Sequence, residues 1–320
     1  MHGRANATSQ DGGSAAAWTT SAAVAGLRDV VDRRLGALVA GAQTSPVTLN
    51  KAVRHALLAP GKRVRPLLTM LTAAEFGADP MLALDAGCAV ELVHTASLVL
   101  DDLPCMDDAR TRRGVPATHT AFGEATALLA SIAMLTRAFG ILAEMEGVSP
   151  AARLDITAIL SHASGADGLA AGQERDLKDR ALSDSLAKID DINDQKTGAL
   201  FIAAVQMGGR LAEVDAARMA VLGVLGREVG LAFQTLDDMI DLSRSSVEAG
   251  KDTGKDSAKG TIATVMGLEP ARAEVRRHMA LAIDAIAPFV LTNGPLRGFV
   301  VAMFAQASAG AEAKIASPSA

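Results

Sequence analysis

Leu82-Ala-Leu-Asp-Ala-Gly-Cys-Ala-Val-Glu-Leu-Val-His-Thr-Ala-Ser-Leu-Val-Leu100 runs without a proline and ends on Asp101-Asp102-Leu-Pro-Cys-Met-Asp-Asp108. So long an apolar run exceeds a strand and predicts a helix buried on most of its faces. A second run of this kind, Ala216 to Leu242, carries Asp237, Asp238 and Asp241 near its end. Two long apolar helices therefore each deliver a group of aspartates.

Outward from these runs the pattern stays helical. It predicts helices over Asn50–Leu58, Val64–Phe76, Glu124–Leu142, Ala151–Ala171 and Leu186–Met207, with an amphipathic stretch opening near Ala25 at Val30, Leu35 and Leu38. Gly77–Pro80 and Gly147–Pro150 read as turns, and Pro104, Gly114 and Pro116 mark an irregular segment. Ser243–Gly260 is polar and rich in Gly, Lys and Asp and reads as a loop. Pro270 and Asn293-Gly294 read as breaks in the helices beyond it. No segment alternates convincingly as a strand. Apolar residues make up 49% of the 320, yet aromatics only 3%, so alanine and leucine fill the core and favour helix over sheet. The expectation is an all-α, single-domain bundle of about ten or more helices around a central apolar cavity. The domain spans 25–320, behind a flexible N-terminal tail, 1–24, that is rich in Ala, Ser, Thr and Gly.

The net charge of −5 argues against nucleic acid as a partner, so an anionic ligand needs a local basic cluster. Two isolated cysteines, Cys88 and Cys105, make no disulfide framework and fit a reducing cytoplasm. With no charge-free run of about 18 residues, no membrane span is expected.

Asp237 and Asp241 are spaced to share one helix face near a helix C-terminus, where the macrodipole disfavours anions. A bound Mg²⁺ would relieve that repulsion, since hard cations take carboxylate and phosphate oxygens. In the first cluster, regular helix would place Asp107 about 240° round from Asp101. Pro104 lies inside the interval, so a bulge over Leu103–Met106 is expected to bring Asp107 back. Either cluster alone reads equally as a solvated polar end. Facing each other across a cavity, the two make walls able to clamp a diphosphate through metal ions.

Basic residues accompany them: Gly61-Lys62-Arg63-Val64-Arg65-Pro66 at a helix start, Arg112-Arg113 behind the first cluster, and Lys251, Lys255 and Lys259 behind the second. His94, Ser97 and Asp101 lie on one helix face, and Gln234 stands in the same relation to the second cluster.

With both acidic motifs in order, Leu100-Asp-Asp-Leu-Pro-Cys-Met-Asp-Asp-Ala-Arg-Thr-Arg-Arg-Gly114 and Phe233-Gln-Thr-Leu-Asp-Asp-Met-Ile-Asp241, the chain resembles the trans-isoprenyl diphosphate synthases. Among them it is similar to bacterial geranylgeranyl diphosphate synthases of carotenoid pathways. The motifs cover roughly Lys51 to Gly267. The resemblance implies head-to-tail condensation of isopentenyl diphosphate with an allylic diphosphate in a Mg²⁺-dependent homodimer, Mn²⁺ being a possible substitute. It implies that Asp101, Asp102, Asp107, Asp237 and Asp241 bind metal. Lys62, Arg65, His94 and Arg113 would hold isopentenyl diphosphate. Arg112, Lys196, Thr197, Gln234, Lys251 and Lys259 would hold the allylic diphosphate. Catalysis would fall to Asp101, Asp102, Asp107, Arg112, Lys196, Asp237, Asp238 and Lys251. Ala96 and Ser97, one turn before Asp101, are small where a bulky residue would end the chain early, which implies a C20 product. A farnesyl diphosphate synthase is the alternative. A class I terpene cyclase is a more distant one, because such lyases lack the second diphosphate site that Lys62, Arg65 and Arg113 supply.

Overall fold

The computed structural model describes residues 21–40, 46–179, 186–248, 261–292 and 294–315, with side chains described except at 21, 22, 186, 241–248 and 306–315. Almost everything described is helix. The long apolar run becomes α4, Leu84–Asp101. Ahead of it, Asp79 accepts a hydrogen bond from the Met81 N–H and caps a short 3₁₀ turn, Pro80–Ala83. Nearly all of α4 is buried, Leu92, Val93 and Ala96 completely. Burying side chains of the size of Leu92 and Val93 stabilises the fold by roughly 1.5–3 kcal/mol each, which makes α4 the axis of the bundle. Around it pack α1 (Ser21–Leu38), α2 (Val47–Leu57), α3 (Val64–Glu75), α6 (Glu124–Ala143), α7 (Pro150–Ser164) and α10 (Ala199–Leu211). The second long helix, α11 (Ala216–Glu248), lies against α10, α12 (Ile262–Met266), α13 (Leu268–Ile286) and α14 (Pro295–Ile315). The remaining helices are α5 (Thr118–Phe122), α8 (Leu169–Lys178) and α9 (Leu186–Asn193).

Several expectations are corrected. The helix start near Ala25 moves forward to Ser21, and the Asn50 helix begins at Val47. The Ser243–Gly260 loop is helical as far as Glu248, because no glycine or proline interrupts the chain before Gly250; 249–260 lie outside the described residues. Ala151–Ala171 is two helices, α7 ending at Gly165 and α8 starting after Gly168. Pro270 does not break a helix: it sits in the first turn of α13, where its missing N–H has no intrahelical acceptor. Leu186–Met207 is interrupted by one π turn, Asp194–Gly198, before resuming as α10.

The irregular segment holds a small antiparallel hairpin, β1 (Thr111–Arg112) with β2 (Val115–Pro116). Its two-residue loop, Arg113-Gly114, has φ of 53° and 81°. Positive φ at both positions is the turn that matches strand twist, for which Asn-Gly or Asp-Gly is the usual sequence signal. An arginine in the first place hid it.

Three helical stretches are long and apolar enough to cross a membrane by length and composition alone: Pro80–Asp101, Glu124–Ala143 and Ala216–Ile240. The first and third are mostly buried inside the bundle and carry the aspartate clusters. Only 39% of the second is buried.

Candidate active site

At the end of α4 the chain folds back on itself. The Asp107 N–H donates to the Asp101 carbonyl at 2.9 Å, and the Ala109 N–H to that of Asp102 at 3.1 Å. The bulge expected around Pro104 therefore exists and returns Asp107 to Asp101. Asp108 takes a left-handed φ of 49° to close it. Local strain of this kind is held only where surrounding contacts over-determine it. Burial raises the Asp101 pKa to about 6; Lys196 and Arg112 oppose the rise, while the Asp107 and Asp176 carboxylates add to it. Asp102 turns the other way. Its buried carboxylate accepts from Arg112 Nε at 2.9 Å and also from Nη2. Burial works against the Arg112 charge, but the bond it donates to Asp102 and the fields of Asp102, Asp101 and Asp107 outweigh it and hold its pKa above the usual value. Asp102 thus orients Arg112 beside Asp101 and Asp107.

The π turn supplies the link to the second cluster. Lys196 Nζ donates to Asp176 Oδ2 at 2.6 Å and lies 3.7 Å from Asp101 Oδ2. Thr197 Oγ1 donates to Gln234 Oε1 at 2.7 Å, and Gln234 Nε2 donates to Asp238 Oδ1 at 2.8 Å. A continuous polar path therefore runs from Asp101 on α4, through the π turn, to Asp238 on α11. Arg227 on α11 pins the turn by binding Asp194 at 3.0 Å. Asp176 was not singled out in the sequence. The signal was Gly172-Gln173-Glu-Arg-Asp176, in which Gly172 lets α8 approach until an added Cβ would stand 2.2 Å from the Lys196 nitrogen. Gly172→Ala is therefore expected to push the π turn aside, costing about 1–3 kcal/mol, with a larger fractional loss of turnover than of melting temperature. Calorimetry and a turnover assay check this, and wild-type turnover would contradict it.

Other basic residues gather near His94 and the pair of rings Phe201 and Phe233. Arg65 is buried, its guanidinium lies 4.5 Å from the Phe201 ring centroid, and burial pushes its pKa down to about 10, with Arg113 adding and Glu91 and Asp237 opposing. Lys62 Nζ lies 5.4 Å from the Phe233 ring centroid. Arg113 reaches Gly61, where an added Cβ would stand 2.9 Å from its Nη1. Its pKa is lowered by burial and by Arg63 and Arg112, with Glu91 and Asp237 opposing. His94 is held neutral, its pKa far below normal, by burial and then by the fields of Arg65, Arg113, Arg112 and Arg63. The charges of Arg65 and Arg113 thus both act on His94, while Lys62 lies by the Phe233 ring that neighbours Phe201, and crowding of cations around a neutral imidazole favours an anion.

Arg63 does not join them. It donates to Asp32 at 2.7 Å, to Glu91 at 2.9 Å and to the carbonyls of Leu57 and Ala59, both at 3.0 Å, tying α1 and α4 to the loop before α3. Asp237 influences Arg65 and Arg113 electrostatically, so the second acidic cluster borders this pocket. The Asp241 side chain, Lys251 and Lys259 lie outside the described residues. Ala96 is fully buried beside α6, and its carbonyl accepts from Ser131 at 3.3 Å; Ser97 donates to the His94 carbonyl of its own helix at 2.8 Å.

Among the described residues no three acidic, histidine or cysteine side chains form a ready metal cage. The donor set suits Mg²⁺ nonetheless. Asp101 and Asp107 repel each other, and Mg²⁺ takes one or two carboxylates and completes its shell with water and phosphate oxygens.

A family model described as polyprenyl synthetase matches residues 46–283. The geranylgeranyl diphosphate synthase of Pantoea ananas is 38% identical over 86% of this chain and 90% of its own. The farnesyl diphosphate synthase of Geobacillus stearothermophilus is 36% identical over 74% and 81%. The solved structure of the Helicobacter pylori geranyltransferase, complexed with magnesium and isoprenyl diphosphate, superposes with a TM-score of 0.77 at 26% identity, covering 91% of this chain and 99% of its own. Carboxylates carried on two long helices and linked through a π turn, a group of cations around His94 and these likenesses agree: this chain belongs to the polyprenyl synthetase family.

Proposed function

We propose that the protein joins isopentenyl diphosphate head to tail to an allylic diphosphate (dimethylallyl, geranyl or farnesyl), yielding geranylgeranyl diphosphate and releasing diphosphate for isoprenoid and carotenoid biosynthesis. The observation that carries this reading is the coexistence of two groups of cationic and hydrogen-bonding side chains, each suited to an anion. One lies along the path from Asp101 through Lys196 and Thr197 to Gln234 and Asp238. The other comprises Arg65 and Arg113, whose charges act on His94, with Lys62 by the Phe233 ring. A terpene cyclase handles one diphosphate and has no use for the second.

In this reading Asp101, Asp107 and the Asp237 cluster hold Mg²⁺, which supplies positive charge to the leaving diphosphate when bound. Arg112, held by Asp102, and Lys196 donate to the diphosphate oxygens, where charge grows as the allylic C–O bond breaks. Arg65, Lys62, Arg113 and neutral His94 hold isopentenyl diphosphate so that its double bond meets the allylic carbon. The new C–C bond takes the pair from that double bond, and a proton then leaves the neighbouring carbon. Among the described residues no side chain stands out as its base, so the departing diphosphate takes the proton. The apolar helix faces exclude the water that would quench the cation.

Incubation with isopentenyl diphosphate, each allylic starter and Mg²⁺, with chromatography of the dephosphorylated products, tests the reading; no prenyl product from any starter would end it. Ala96 and Ser97, five and four residues before Asp101, are both small, which favours C20 over C15. Ala96→Tyr is expected to shift the product towards C15, and unchanged chain length in an active variant would remove these positions as the floor.

We also propose a homodimer in the cytoplasm. In support, α6 exposes Leu128, Leu129 and Ile132, the last at 56%, an apolar face more typical of an interface than of solvent. Both cysteines are free, which fits a reducing compartment.

A further inference from the structure

We propose that Phe201 and Phe233 are positioning residues of the pocket read above as the isopentenyl diphosphate site: a paired aromatic platform that holds Arg65 and Lys62 by their charge while leaving their N–H donors open. The inference rests on that reading for the identity of the ligand, though not for its charge.

The rings lie 5.3 Å apart, tilted by 46°. The Arg65 guanidinium sits 4.5 Å from the Phe201 centroid and Lys62 Nζ 5.4 Å from that of Phe233. Both distances fall within the roughly 6 Å over which a ring face attracts a cation. The contrast with Arg63 gives the arrangement its meaning. Arg63 spends its donors on two carboxylates and two carbonyls. Arg65, two residues on and equally buried, makes no ion pair among the described residues, and its Nε is buried without a hydrogen-bond partner. A buried charge needs compensation, but a carboxylate would both cancel the charge and consume the fork. A π face does neither. It stabilises the cation from below and leaves the planar donors for an incoming anion.

Placement adds a second reason. Phe201 follows the π turn that carries Lys196 and Thr197, and Phe233 precedes Gln234. The elements that bind one anion site therefore carry the floor of the other, which fixes the distance between the two sites. The plainer alternative is that the rings only fill the core, in which case shape alone would matter.

The experiment separates charge from shape. Phe201 is replaced site-specifically by pentafluorophenylalanine, which keeps the ring outline and reverses its quadrupole. In parallel, Phe233→Leu removes a ring and Phe233→Trp keeps one. Melting curves establish that each variant folds. In the fluorinated protein and in Phe233→Leu, KM for isopentenyl diphosphate is expected to rise about fivefold to thirtyfold while that for the allylic starter stays within about twofold; Phe233→Trp should stay close to wild type. An unchanged KM in the fluorinated protein, or a Trp variant as impaired as the Leu one, overturns the proposal. If wild type forms no prenyl product, the functional reading fails and binding alone decides this one. Inorganic pyrophosphate is titrated calorimetrically with EDTA present, which removes metal-borne binding at the aspartate clusters. Weaker binding by the fluorinated protein upholds the platform, and equal binding removes it.

Discussion

Asp101→Asn is expected to lower turnover by about three orders of magnitude or more while making the metal-free protein more stable. The loss follows from the several kcal/mol that metal neutralisation of a leaving diphosphate contributes, at about 1.4 kcal/mol per factor of ten. The gain follows from the Asp101 pKa, raised to about 6 by burial first and by Asp107 and Asp176 next, against Lys196 and Arg112. In the unfolded chain the carboxyl loses its proton near pH 3.9. Between these values the folded protein keeps a proton that the unfolded chain has released. Folding is therefore weakened as pH rises from about 4 through about 6, and at pH 7 the ionised group costs on the order of 1–3 kcal/mol. Asparagine removes that cost. With EDTA present, the variant should melt higher than wild type at pH 8 by several degrees, and the gap should close towards pH 4. A pH-independent gap, or a less stable variant at pH 8, would show that Asp101 is not a strained carboxylate awaiting a cation. Active-site residues placed at a cost in stability are a common signature of function.

Lys196→Met is expected to reduce turnover about a hundredfold to a thousandfold, the range seen when one preorganised donor to a developing anion is lost. It also removes the ammonium that Asp101 and Asp176 share, at 3.7 and 2.6 Å. Leaving a buried carboxylate without its charge partner destabilises by a few kcal/mol, so the single variant should melt lower than wild type. The double variant Lys196→Met with Asp176→Asn separates the two effects: stability should return, and turnover should not. Recovery of turnover in the double variant would mean that the lysine only neutralises Asp176 and does not touch the diphosphate.

Much of the site was legible because its signals are local. Asp101 and Asp107, too far round a regular helix to cooperate, pointed through Pro104 to a bulge, and the Asp107 N–H closes it on the Asp101 carbonyl. Arg65, His94 and Arg113 were assigned through the resemblance, and the charges of Arg65 and Arg113 both act on His94. What stayed hidden was equally local. The sequence Lys62-Arg63-Val64-Arg65 offers no means of telling which arginine faces a ligand, and only the positions of Asp32 and Glu91 turn Arg63 inward. Arg113-Gly114 hides a hairpin, and Gly172 reveals its use only when α8 meets the π turn.

The chain alone determined that it would be helical, where the two apolar helices would run, and which carboxylates they would carry, although it put Asp237 and Asp238 near a helix end and α11 continues to Glu248. Those properties follow from side-chain periodicity and from the few residues that stop a helix, both of which act over one or two turns. Tertiary structure alone decided the partnerships: Asp102 with Arg112, Lys196 between Asp101 and Asp176, Thr197 with Gln234, and Arg65 over Phe201. Most of these join residues far apart in the chain, and all depend on how closely helices approach and on what burial does to each charge. That is settled only when the apolar faces have packed.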